Sequence, residues 1–197
     1  GWGIEGVPAL ISFERFFGLL AEKKFPAATF IRTSDDFEYL QEPDIFHEIF
    51  GHCPLLMNEV YTDFMQKFGE LAASASAEDQ IMLARLYWFT VEFGLIQSNK
   101  DLQIYGAGIV SSVNESKYAL SNKPRRYELD LVEVFRTLYR IDIMQPIYFV
   151  ISSFDQLFNL VDSPKAVFES IAEARSLGPH KPLFAIDDLP EDDLRKK

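Results

Sequence analysis

Two of the chain's three histidines, His47 and His52, fall in the run Pro43-Asp44-Ile45-Phe46-His47-Glu48-Ile49-Phe50-Gly51-His52-Cys53-Pro54. Imidazoles this close in sequence can share a metal, but the spacing departs from the i, i+4 pair of a zinc protease helix. At i, i+5 an α-helix turns about 140° beyond a full circle, so both rings reach one ion only if the helix ends between them. Gly51 and Pro54 predict that ending, with His52 folding back toward His47. Glu92 is the carboxylate that would complete such a site. Its helical neighbours Trp88, Phe89, Leu95 and Ile96 carry no positive charge, and Arg85 lies two turns away. A buried ionised carboxylate is costly unless a cation compensates it. His47, His52 and Glu92 around one ion leave coordination positions open, and two histidines with one carboxylate is the ligand set of mononuclear non-haem Fe(II) oxygenases. The same residues admit two other readings: a zinc hydrolase with Glu48 as general base, and a non-catalytic helical interaction module in which they are structural. His180, in a Gly-Pro-His-Lys-Pro loop, reads as a surface residue, and Cys53 as a small buried neighbour of His52 rather than a nucleophile.

The elements that must position these side chains are mainly helical. Ser12 predicts a capped helix through Glu22, with Phe13, Phe16, Phe17 and Leu20 at helical spacing. Thr29-Phe30-Ile31-Arg32 reads as a short strand. Pro43 is expected at the first position of a helix that carries His47 and stops at Gly51. Asn58 to Ala73 forms an amphipathic helix, and Glu78 to about Gln97 a helix apolar around nearly its whole circumference, hence buried. Ile104 to Gly108 reads as a strand or turn, and 111–120, 130–138 and 155–161 as short helices, with breaks at Pro146 and Pro164. The expected fold class is mainly α with a small β element. One catalytic domain is expected over residues 1–186, followed by a solvated tail over 187–197, acidic and then basic.

Composition narrows the partners. The 197 residues carry 30 acidic and 19 basic side chains, a formal net charge of −11, which disfavours phosphate backbones and anionic lipid surfaces. No nucleic-acid or membrane partner is therefore expected. The most apolar stretch, Leu86 to Ile96, is interrupted by Glu92 and is shorter than the roughly 20 residues of a spanning helix. A lone cysteine and an N-terminus without basic and apolar signal regions point to a cytoplasmic address. The 18 Phe, 8 Tyr and 2 Trp supply core area and can also line a pocket for a flat ligand. No sustained heptad pattern defines an oligomeric state.

Three blocks, taken in order, closely resemble one family. They are Pro43-Asp44-x-x-His47-Glu48-x-x-Gly51-His52-x-Pro54, then Tyr87-Trp88-Phe89-Thr90-Val91-Glu92-Phe93-Gly94, then Tyr105-Gly106-Ala107-Gly108-x-x-Ser111-Ser112. The chain is similar to the tetrahydropterin-dependent aromatic amino acid hydroxylases from about Val7 to Leu160, and most of all to their bacterial phenylalanine-hydroxylating branch. The resemblance implies that fold, and hydroxylation of L-phenylalanine to L-tyrosine with dioxygen and a reduced tetrahydropterin such as tetrahydrobiopterin. It implies Fe(II) on His47, His52 and Glu92, in agreement with the reading of the residues themselves. It assigns Arg32 and Asp44 to the substrate carboxylate, with Gly108 and Ser111 nearby, and Trp88 and Phe93 to the walls around the substrate ring. Leu10, Ile11, Ser12, Phe16, Ala84 and Tyr87 would border the pterin, with Tyr139 at the edge of that pocket. Glu48, close to iron-bound water, and Trp88 take the catalytic positions. Ile141 stands where the tyrosine-hydroxylating branch has an acid, which leans toward phenylalanine. The resemblance also implies a further N-terminal stretch of the family domain ahead of Gly1.

Overall fold

A computed structural model describes residues 1–8, 10–33, 42–99 and 101–184 of the chain. The 186/187 boundary and the 187–197 tail lie outside these residues.

Helices dominate, and their starts follow local chemistry. Helix α1 (Phe13–Ala21) begins at Ser12, whose hydroxyl accepts the Arg15 N–H. Helix α3 (Glu59–Ala73) begins at Asn58, and α4 (Ala77–Tyr87) at Ser76, each capped in the same way. The core forms around α3. Its buried face, Tyr61, Phe64, Met65, Phe68 and Leu71, meets Phe17 and Leu20 of α1 and Leu83 and Leu86 of α4. Helices α8 (Phe154–Asp162) and α9 (Pro164–Leu177) add Leu157, Val161, Val167 and Ile171 to the same cluster.

The β content is two small sheets. Strands β1 (Gly3–Val7) and β2 (Lys24–Ala28) pair in parallel on either side of α1. The second sheet has the order β4-β3-β6-β5, from β3 (Leu95–Ser98), β4 (Asp101–Ile104), β5 (Arg125–Glu128) and β6 (Ile147–Ile151). Short helices α5 (Ala107–Val110), α6 (Val113–Leu120) and α7 (Leu131–Arg136) fill the connections.

Several expected elements are corrected. The strand lies at Lys24–Ala28 rather than at 29–32, where the backbone is irregular. The long apolar helix stops early: α4 gives way to a π-helical turn at Trp88–Glu92, and Leu95 and Ile96 pair with Val150 and Ile151 in a sheet. A circumferentially apolar run is what a strand buried on both faces also requires. Pro164 opens α9 at its first turn, behind the Ser163 cap, where a missing N–H costs nothing.

Candidate metal centre and the cleft above it

Asp44, not Pro43, sets the start of the helix that carries His47. Its Oδ1 accepts the His47 N–H at 3.0 Å, capping the short α2 (Ile45–His47). The helix does not end at Gly51. It continues as a π-helical turn over Glu48–His52, closed by the Cys53 N–H on the Glu48 carbonyl, and then tightens into a 3-10 turn over Cys53–Met57. An i→i+5 turn makes residues five apart near-neighbours on one face, so His47 and His52 meet without a helix end between them. Gly51 serves close approach instead of termination: a Cβ there would stand 2.8 Å from the Ala107 Cβ. Glu92 lies at the end of the second π turn, closed by Phe93 N–H on the Trp88 carbonyl at 2.8 Å. Both segments that aim the candidate ligands are therefore π-helical.

The three side chains converge. His47 Nε2 and His52 Nε2 are 2.9 Å apart, Glu92 Oε1 is 3.1 Å from His52 Nε2, and Glu92 Oε2 is 3.5 Å from His47 Nε2. The ligand atoms of the group all lie within 4.8 Å of one another. Neighbouring donors on a metal with bonds of about 2.1 Å are themselves about 3 Å apart, so the constellation has the dimensions of a coordination face.

The tautomer fits too. Ser111 Oγ donates to the Ala107 carbonyl at 2.8 Å and lies 2.8 Å from His47 Nδ1. A hydroxyl that has given its one proton can only accept, so Nδ1 carries the hydrogen and the Nε2 lone pair faces the centre. Burial holds His47 down to about 4, against the pull of Glu92, so it is neutral at pH 7. Burial also disfavours the charged forms of His52 and Glu92, but their mutual attraction outweighs it: His52 is raised and Glu92 lowered. Glu92 is thus a carboxylate beside two imidazoles, a donor set that suits a divalent cation. Arg85 does not compensate it; its guanidinium donates to the Phe135 carbonyl.

A cleft of about 550 Å³ opens above this centre. Among the expected site residues, Leu10, Ile11, Phe16, Arg32, Glu48, Ala84, Tyr87, Trp88, Phe93, Gly108, Ser111, Tyr139 and Ile141 line it together with the three candidate ligands. Two do not. Ser12 is occupied as the α1 cap, and Asp44 is fully buried behind Arg32. Arg32 grips Asp44 through Nε to Oδ2 at 2.9 Å and Nη2 to Oδ1 at 2.7 Å, with its backbone N–H on Oδ2 at 2.8 Å. Burial pushes the Asp44 carboxyl up, yet these bonds hold it down at about 2.

One side of the cleft is aromatic and flat. The Trp88 ring stacks on Tyr139, at 4.5 Å and 18°, and packs against Phe93, at 4.4 Å. On the other side Phe16 meets Tyr87 edge-on at 5.0 Å. Glu48 ties the first π turn to β2, because its Oε1 accepts the Ala28 N–H at the end of that strand at 3.1 Å. Burial raises its carboxyl to about 7, with His52 and that N–H opposing. The Cys53 thiol is pushed up by burial, which agrees with an unreactive cysteine. His180 lies apart from the cleft, partly exposed, with Nε2 2.8 Å from Glu133.

Sequence reasoning missed part of the lining. Glu115, Ile143 and Met144 face the cleft, and Gln145 lies behind it on Trp88. Their one sequence signal is indirect: Gln145 precedes Pro146 in a stretch too irregular for any periodic pattern.

A family profile describing biopterin-dependent aromatic amino acid hydroxylases matches residues 1–167. The phenylalanine-4-hydroxylase of Pseudomonas aeruginosa is 50% identical over 184 residues, 93% of this chain and 70% of that protein. That of Vibrio cholerae is 51% identical, over 93% of this chain and 63% of its own length. The chain thus spans about two thirds of the length of these curated relatives. Among solved structures, the apo phenylalanine hydroxylase of Colwellia psychrerythraea superposes with a TM-score of 0.91 at 47% identity, covering 96% of this chain and 74% of that one. The Chromobacterium violaceum enzyme, solved with iron(III) and 7,8-dihydrobiopterin, has a TM-score of 0.85 at 44% identity, covering 96% and 68%. Sequence identity near one half, a shared fold and a convergent two-histidine, one-carboxylate centre lead to the same place: this chain belongs to the biopterin-dependent aromatic amino acid hydroxylases.

Proposed function

We propose that the chain is a phenylalanine 4-monooxygenase, converting L-phenylalanine to L-tyrosine with dioxygen and a reduced tetrahydropterin. The convergence of His47, His52 and Glu92 beneath an aromatic cleft carries this reading. Fe(II) on those three side chains, together with the pterin, supplies the dioxygen chemistry that the amino acids themselves cannot. The chain's own residues bind, orient and exclude water. Arg32 faces the cleft with a planar guanidinium, the geometry that recognises an amino acid's carboxylate, and Asp44 fixes its plane from behind. Trp88 and Phe93 form the wall against which the substrate ring lies, and Ile141 keeps that region apolar. Ser111 serves the site through His47, whose ring orientation it holds, and Gly108 by leaving room for Phe93. Phe16, Tyr87, Leu10, Ile11 and Ala84 offer the opposite, apolar side to the pterin, with Glu48 between it and the metal centre. Ser12 contributes by starting the helix that carries Phe16. Among the described residues no helix is long and apolar enough to cross a membrane. A cytoplasmic setting is part of the proposal, supported by the free thiol of Cys53.

The test is tyrosine formation from L-phenylalanine, dioxygen and a reduced tetrahydropterin, using metal-stripped protein reloaded in parallel with Fe(II) or Zn(II). Tyrosine with iron and none with zinc is the expected result. Hydrolase activity with zinc alone would replace this reading with the other.

Gly108→Ala tests the substrate wall. A Cβ at that position would lie 2.8 Å from two ring carbons of Phe93. The ring must shift from its place in the wall, and the KM for L-phenylalanine is expected to rise roughly tenfold, an ordinary cost of overpacking. Steady-state kinetics against both substrates checks it; the pterin KM is expected to hold.

A further inference from the structure

The aromatic wall is held by a buried polar group that the reaction itself does not use. Gln145 is 1% exposed, and its side chain is fully engaged. Oε1 accepts the Trp88 indole N–H at 3.1 Å, while Nε2 donates to the carbonyls of Arg140 at 2.7 Å and Ile143 at 2.9 Å. Only this orientation of the amide satisfies all three partners, since the indole can only donate and the carbonyls can only accept. Its backbone N–H donates to Glu115 Oε1 at 3.0 Å, and the same oxygen accepts the Tyr148 hydroxyl. Three parts of the fold therefore meet at one residue, the π turn bearing Trp88, the segment 137–146, and α6 through Glu115, and Glu115 links them on to β6 through Tyr148.

The segment tied down by the Gln145 amide carries Tyr139, Ile141, Ile143 and Met144, all of which line the cleft. Tyr139 in turn lies flat on Trp88. Stacking alone fixes the plane of an indole but leaves it free to slide and rotate within that plane; a hydrogen bond to its N–H removes that freedom. An apolar side chain of similar size would fill the space equally well, but would leave the indole N–H and two carbonyls unpaired.

We propose that Gln145 is a positioning residue for the substrate slot: by clamping the Trp88 indole to the 140–143 turn, it sets the slot's width and the angle at which the aromatic ring is held. This rests on the reading of Trp88 as the substrate wall. The Gln145 amide spends its hydrogen bonds on Trp88, Arg140 and Ile143, not on the three candidate metal ligands, so the effect is separable from metal binding.

The test uses the full chain in a Trp2→Phe background, which leaves Trp88 as its single tryptophan. In Gln145→Met, the fluorescence anisotropy of Trp88 is expected to fall. In the iron-loaded protein the KM for L-phenylalanine is expected to rise about tenfold, the scale of one lost buried hydrogen bond, and the tyrosine formed per pterin oxidised to drop below that of the parent. Iron stoichiometry and pterin KM stay at parent values. Gln145→Leu, apolar and uncharged, is expected to give the same fall in anisotropy and rise in KM, and serves if the methionine variant fails to fold. In a Trp88→Phe background, which already lacks the donor, Gln145→Met adds less than it does alone. Unchanged anisotropy and KM in Gln145→Met overturn the proposal. So does a parallel loss of iron, pterin and substrate affinity, which would make the residue merely structural. A parent that binds iron but forms no tyrosine overturns the functional reading instead, and the anisotropy still reports whether Gln145 holds Trp88.

Discussion

Glu92→Ala is expected to lose iron and tyrosine formation together. The substitution removes the carboxylate within reach of both His47 Nε2 and His52 Nε2, leaving two imidazoles that cannot by themselves neutralise a dication. Loss of a partner that merely orients a ligand costs roughly 10–100-fold in affinity or activity, and loss of the ligand exceeds that. Metal analysis after gel filtration should therefore fall from about one iron per chain to near background. A melting curve gives an independent reading. Iron raises the midpoint of the parent because it binds the folded form alone, whereas the variant should melt at the same temperature with and without it. Unchanged iron stoichiometry would remove Glu92 from the ligand set.

Arg32 carries the second large effect. In Arg32→Lys the charge remains but the planar fork is gone, so an incoming carboxylate meets a single ammonium rather than a matched pair of N–H donors. The KM for L-phenylalanine is expected to rise by roughly two orders of magnitude, with kcat less affected, since truncating a buried charged hydrogen-bond partner costs about 2–5 kcal/mol. The sharper signature is lost discrimination: the parent should reject phenethylamine, which has no carboxylate, and the variant should not distinguish the two strongly. Arg32→Ala adds a stability cost, because the fully buried Asp44 keeps the backbone N–H groups of residues 32 and 47 but loses the guanidinium that balances its charge. A variant that keeps the parent's KM and its preference would place the carboxylate elsewhere in the cleft.

What was legible in the sequence follows the range of the forces involved. Helix starts at Ser12 and Asn58 were readable because a cap is a contact within three residues. Strands β1 and β2 were not, because their pairing joins Gly3–Val7 to Lys24–Ala28 across a helix, and neither run alternates. The turn from α4 into β3 was hidden by uniform hydrophobicity. At the site, His47, His52 and Glu92 stood out through what they lacked, a charged partner nearby and a helical spacing that worked. The geometry that reconciles that spacing, the π turn, has no residue signature of its own. Gln145 and Glu115 were invisible for a related reason: an amide in an irregular segment shows its importance only when its partners, some 30 and 57 residues away in sequence, are placed around it.

The two π turns also bear on which changes of length the chain can absorb. Each holds one residue more than a regular helix would need to cover the same turn. Deleting Phe50, or any one residue between His47 and His52, would let the segment relax into ordinary α-helix, with better hydrogen bonds and no local frustration. It would leave the two histidines four apart, still on one face of the helix and with the chain downstream close to its present direction, because the residue lost is the extra one in the turn. The same holds between Trp88 and Glu92, where the wall and the carboxylate would keep nearly the same relative direction. Surface loops of a protein commonly gain and lose residues; here two helical stretches in the interior could each give up one and become a better helix without redirecting the chain, so what the extra residue adds is local shape at the centre rather than direction.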